Sequence, residues 1–209
     1  MPCSQRRARA RTETDLMSRT NYIFVDFENV QERELNRIAN KPAKVVFVLG
    51  ERQKNLPVDL VQLMLKYSAQ VSLLKAEVNG KNALDLVIAR EIGAESEKDQ
   101  NGYFHVISRD KDFDALIKHL KSGGVLAARH ESFAEIPLLM NAAERVKRMA
   151  DHFKSNPDSR PKKKAKLESK IHAEFGKTLS PEEVEDTIRK LAAGRVLSVS
   201  AKGEVAYKL

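Results

Sequence analysis

Between residues 20 and 153 the chain alternates short apolar, β-branched runs with stretches whose apolar residues recur at helical spacing, and this alternation limits the fold more than any other feature. The runs cover residues 22–27, 44–49, 70–75, 104–108 and 125–128, and all but 70–75 are mostly apolar. Strands of that kind are buried on both faces, which means a parallel sheet with helices above and below. Helices are expected at 31–39, at 58–67 behind Pro57, at 82–92 up to Gly93, from Phe113 through Leu120, and from 133 to about 153. The fold class is therefore α/β, three layers around a five-stranded parallel sheet.

Such a sheet places its ligand site beyond the carboxyl ends of the strands, where the strand order reverses. For the order 3-2-1-4-5 that point lies between the first and fourth strands. The first ends at Asp26, followed by Glu28 and Asn29; the fourth ends at Ser108, followed by Arg109, Asp110, Asp112 and Asp114. Carboxylates crowded together repel one another unless a cation sits among them. Asp85 is a third contributor, in the first turn of the 82–92 helix beside its apolar stripe, where an unpaired carboxylate is costly.

Other arrangements of the same residues remain open. Asp112 has the position of an N-cap, with Asp110 and Asp114 favoured by the helix dipole. Asp85 has capping-box spacing to Asn82. Lys81 either neutralises the cluster or touches a phosphate. Asn29 either orients Asp26 or a bound water, or caps a following helix. Glu28 and Asp114 read as outward-facing, solvated acids. None of the histidines has partners at metal-ligand spacing, and His105 reads as a packed histidine of the sheet.

With 209 residues there is room for one core of ordinary size and a small appendage. No apolar run approaches the ~20 residues that cross a bilayer, so a soluble protein with no membrane partner is expected. The single cysteine, Cys3, excludes an intrachain disulfide or a cysteine-based zinc site and fits a reducing, cytoplasmic setting. Residues 1–19 form a basic leader with five arginines against two acids and no apolar h-region, read as a flexible tail. Residues 151–209 carry thirteen Lys and Arg against nine acids, which leaves the middle of the chain nearly neutral although the whole is +8. Basic flanks around a neutral domain suit a polyanion partner.

Three stretches together resemble a known family. Val25-Asp26-Phe27-Glu28-Asn29-Val30, Lys81-Asn82-Ala83-Leu84-Asp85 and Ile107-Ser108-Arg109-Asp110-Lys111-Asp112-Phe113 are similar to the signatures of PIN-like nucleases, in particular the NYN branch. The resemblance implies an endoribonuclease dependent on Mg²⁺ or Mn²⁺, with Asp26, Asp85, Asp110 and Asp112 as catalytic and metal-binding residues. Ser108, Asn29, Lys81, Glu28 and Asp114 would support them. RNA is the implied partner, with single-stranded DNA as a second candidate, and a homo-oligomer is compatible with it. Two departures stand out: the Lys-to-Asp spacing is one residue longer than usual, and Arg109 occupies a position where Gly is common, so it either narrows the site or contacts phosphate. Carboxylate-held Mg²⁺ or Mn²⁺ suits phosphodiester hydrolysis because it activates water and relieves charge on the leaving oxygen. A catalytically silent nucleic-acid-binding module and a Toprim-like phosphoryl-transfer enzyme are the competing readings.

Residues 154–166 read as a flexible basic linker, Pro-broken and holding Lys162, Lys163 and Lys164, which could meet phosphate. Beyond it, a helix at 167–175, a Ser180-Pro181-Glu182-Glu183 capping box opening a second helix, and a hairpin around 200–203 resemble a small winged-helix module.

Overall fold

The computed structural model describes residues 19–77, 80 and 82–209. The leader expected at 1–19 therefore lies outside the described residues except for Arg19, and Lys81 lies outside them too. Five strands, β1 (Asn21–Asp26), β2 (Ala43–Leu49), β3 (Val71–Lys75), β4 (Tyr103–Ile107) and β5 (Leu126–His130), form one sheet of order β3-β2-β1-β4-β5. All four pairings are parallel. The expected three-layer α/β fold is the one found, and β1, at the centre, is buried along its whole length.

Helices α1 (Val58–Lys66), α2 (Ala83–Lys98) and α3 (Phe113–Ser122) flank the sheet. One face packs Ile23, Val25, Phe47 and Ile107 against Leu60 and Met64 of α1. The other packs Phe24, Phe104 and Val106 against Ile88 and Ile92 of α2 and Phe113 and Ile117 of α3. Burying this much apolar surface, at about 25 cal/mol per Å², is what holds the layers together. No helix among the described residues is long and apolar enough to cross a membrane.

Three helices differ from expectation, each for a local reason. The helix expected at 31–39 shrinks to a 3-10 turn, Leu35–Ile38. The Glu32 carboxylate turns inward, accepts the Arg33 and Glu34 amides, and also accepts the amide of Phe133. Gly93 does not stop α2, which continues to Lys98; an interior glycine costs only about 1 kcal/mol against alanine, and a Lys98–Glu95 pair supports the last turn. The long helix expected from 133 breaks at Pro137 into two 3-10 turns, Phe133–Glu135 and Pro137–Leu139. Helix α4 (Ala142–Ser155) begins afresh with a complete Asn141–Glu144 capping box.

Helix α4 also belongs to a different core. Its Met149 and Phe153 pack against Leu167 and Ile171 of α5 (Lys164–Glu174), its C-cap Phe175, and Ile188 and Leu191 of α6 (Pro181–Ala193). A hairpin of β6 (Leu197–Val199) and β7 (Val205–Tyr207) completes this carboxy-terminal unit. The expected capping box at Ser180 and Glu183 is made in full. The segment read as a flexible linker is instead tied down: Arg160 Nε donates to Phe153 O at 2.8 Å, Tyr207 Oη to Pro161 O at 3.0 Å, and Val205 N to Lys162 O at 3.0 Å. Lys163 forms an isolated antiparallel bridge with Glu204, which holds this segment against the edge of the two-stranded hairpin sheet.

Candidate active site

Strands β1 and β4 are neighbours, and Val25 is in register with Ile107, so the chain leaves both strands at the same edge of the sheet. The two exits are stitched together by one hydroxyl. Ser108 Oγ, fully buried, donates to Asp26 Oδ2 at 2.8 Å and accepts the Asp110 amide at 3.0 Å. Asp26 Oδ1 accepts the Asn29 amide at 3.2 Å, and Asn29 Oδ1 in turn accepts the Arg109 amide at 3.2 Å. Asp110 Oδ1 accepts the amide of Asp112 at 2.9 Å.

A pocket of about 250 Å³ opens at this point, lined by Asp26, Glu28, Asn29, Asp85 and Asp110 together with Gly80, Asn82 and Leu84. Helix α2 brings Asp85 in from the opposite wall. The simpler roles open to these acids are not the ones adopted. Asn82 takes a left-handed conformation (φ 60°) and makes no side-chain cap, so Asp85 closes no capping box. Asp112 stands at the N-cap position of α3 but has helical angles and makes no side-chain cap bond. Asn29 precedes no helix, its side chain being spent on Arg109.

The electrostatics follow from crowding. Burial is the main cause that raises the Asp26 carboxyl above its ordinary range, with Glu28 and Asp110 adding to it and the Ser108 and Asn29 hydrogen bonds opposing it. Asp85 is raised by burial and then by the charges of Asp26, Asp110 and Asp112. Asp85 thus feels three other carboxylates. Asp114 stands apart, bonded to Arg129 Nε at 2.8 Å, and that partner lowers its carboxyl. Arg129 also donates to the Ser108 carbonyl at 2.9 Å and so braces the end of β4.

Sequence reasoning missed Arg129, Gly50 and the αL turn at Asn82. Arg129 lies in register with Val106, which puts it one residue from the end of β4, so topology was the available signal. Gly50, just past β2, leaves room for Glu28: a Cβ there would fall 1.8 Å from Glu28 Oε1. Lys164 pairs with Glu185 at 2.9 Å, while Lys162 and Lys163 are exposed.

A PIN domain family model matches residues 20–130, more than half of the chain. The chain belongs to the PIN domain family. No curated protein matches it. PIN domains are generally nucleases that use divalent metal ions, and the donor set here, carboxylate oxygens with an amide beside them, is what a hard cation prefers. Among the described residues no group of three or more His, Cys, Asp or Glu is placed closely enough to hold an ion.

Proposed function

We propose that this PIN domain protein is a metal-dependent endoribonuclease of the NYN branch, cutting RNA at the pocket between β1, β4 and α2. The observation that carries the reading is that Asp26, Asp85 and Asp110, acids from three separate stretches of chain, line a single opening, where Asp85 also feels the charge of Asp112. Asp26 and Asp110 would be the central ligands of Mg²⁺ or Mn²⁺, with Asp85 and Asp112 direct or through water. The bound ion would activate water and offset charge on the leaving oxygen.

The chain's own residues do the positioning. Ser108 fixes the Asp26 carboxylate and, through the Asp110 amide, the turn that carries the second acid. Asn29 ties the β1 exit to Arg109. Arg109, exposed at the rim, is a phosphate contact in this reading, and Glu28 lies at the pocket's edge as an acceptor for metal-bound water. The winged-helix-like carboxy-terminal unit presents the substrate, and the protein works in the cytoplasm.

The test is cleavage of single-stranded RNA, single-stranded DNA and duplexes with Mg²⁺ or Mn²⁺, wild type beside Asp26→Asn and Asp110→Asn. Metal-dependent RNA cutting abolished in both variants is the expected result. Binding without cutting would leave a silent nucleic-acid-binding module.

A further inference from the structure

The carboxy-terminal unit carries a second opening, a groove of about 760 Å³ between residues 157–163 and the hairpin. Its walls combine the cations Arg160, Lys162 and Lys163 with the apolar surfaces of Pro157, Val205 and Tyr207. Arg160 stacks its guanidinium 5.6 Å from the centre of the Tyr207 ring.

The acids of α6 are largely spent on ion pairs. On α6, Glu183 pairs with Lys41 and Arg145, Glu185 with Lys164, and Asp186 with Arg189 and Lys190. The start of that helix is thereby acidic and docked on the sheet domain, so it does not face a polyanion. Lys162 and Lys163 make no ion pair among the described residues, although Asp158 and Glu204 share their groove. Their backbone is held by the Val205 amide and the Lys163–Glu204 bridge, so little freedom of the main chain is left to lose on binding.

Cations beside an aromatic ring are what a single-stranded nucleic acid engages, phosphates on the charges and a base against the ring. The volume lies within the roughly 300–1,000 Å³ of ordinary ligand sites. We infer that this groove is a second binding site for single-stranded RNA, gripping the sugar-phosphate backbone through Lys162 and Lys163 outside the acidic pocket. The inference rests on the ribonuclease reading for the identity of its ligand.

The experiment uses the full chain carrying Asp26→Asn and Asp110→Asn, so that RNA survives, and measures binding of a fluorescent single-stranded RNA by anisotropy across a salt series. Adding Lys162→Glu and Lys163→Glu weakens binding on the order of tenfold, and the slope of log affinity against log salt falls by about 1.4, the value for two phosphate contacts on a single strand. Lys162→Gln with Lys163→Gln gives the same direction at smaller size, and melting curves check that both forms fold. Lys98→Glu with Lys118→Glu, the same change of charge on α2 and α3, leaves affinity unchanged. In the cutting-competent chain the groove variant raises KM and spares kcat.

Unchanged affinity in the groove variant, or equal weakening in the α2 and α3 control, overturns the inference while leaving the nuclease reading intact. A wild type that binds RNA through these lysines without cutting it overturns the nuclease reading alone. A chain that neither binds nor cuts RNA overturns both.

Discussion

Two charged regions of this molecule are organised in opposite ways. At the carboxyl end of the sheet, Asp26, Asp85 and Asp110 line one pocket with Asp112 nearby, and none of the four is bonded to a cation among the described residues. At the seam between the sheet domain and the carboxy-terminal unit, Glu34, Glu144 and Glu183 each have a cationic partner. Arg37 grips Glu144 through two bonds of 2.7 and 2.8 Å and also bonds Glu34, while Lys41 and Arg145 share Glu183. Paired charge holds two bodies in register; unpaired like charge costs stability and is kept where something must bind. The contrast separates architecture from function better than acidity itself does.

The largest expected effect breaks the comparison at the site. Asp110→Asn lowers metal-dependent cleavage on the order of 100-fold or more, since even outer partners of metal sites are worth about 10- to 100-fold. The same substitution leaves the melting temperature in EDTA unchanged or higher, because it removes one of the charges that raise Asp85. A lower melting temperature with activity retained would mean the acids are structural.

The next effect concerns pH. Beneath α4, His105 Nδ1 meets His130 Nε2 at 3.1 Å and His105 Nε2 meets Asn21 Oδ1 at 3.0 Å. Burial, then the nearby His130, depresses His105 strongly. Burial, followed by Arg148, Arg129 and Lys121, pushes His130 down to about 4. Unfolded imidazoles take up protons near 6.5 and these folded ones only lower, so acid favours the unfolded chain. Stability should fall between pH 6.5 and about 4, by roughly 3 kcal/mol for His130 alone. Asp26 and Asp85, raised when folded, tilt the curve the other way above the ordinary carboxylate range. Urea titrations of wild type and His130→Gln across that range separate the two, the variant showing the shallower acid loss.

Arg37→Ala sharpens the comparison from the seam. It removes charge-assisted bonds to Glu144 and a bond to the Leu139 carbonyl, costing about 1–3 kcal/mol, with kcat below the melting transition unaltered. The smallest effect returns to the site: Gly50→Ala displaces the Glu28 carboxylate and should lower kcat by about tenfold, the lower end for an outer partner of a metal site, with no loss of secondary structure by circular dichroism.

The fold was legible because the apolar runs at 22–27, 44–49 and 104–108 admit little besides a buried parallel sheet, and the strand order then places Asp26 beside Asp110. Helix ends were less legible, since they turn on single side chains acting at a distance. Glu32 reaches the Phe133 amide across 101 residues of chain, and no local pattern announces that. At the site, sequence named the acids, but Arg129 and Gly50 act through neighbouring strands whose register only a folded chain displays. The 154–166 segment misled for a related reason: its prolines and lysines look unstructured until β7 arrives to pair with them.

Helix α4 decides where this polypeptide can be divided. A cut at residue 156, where composition changes, would leave the sheet domain trailing a helix stripped of the groups that bury Met149 and Phe153. A cut before Met140 would part the chain between cores, Leu139 staying with the sheet and Met140 with the other core, and would keep the Asn141–Glu144 cap with its own helix. Any recombination that moves the carboxy-terminal unit to another host should therefore carry α4 as its first element, and grafts that omit it should aggregate.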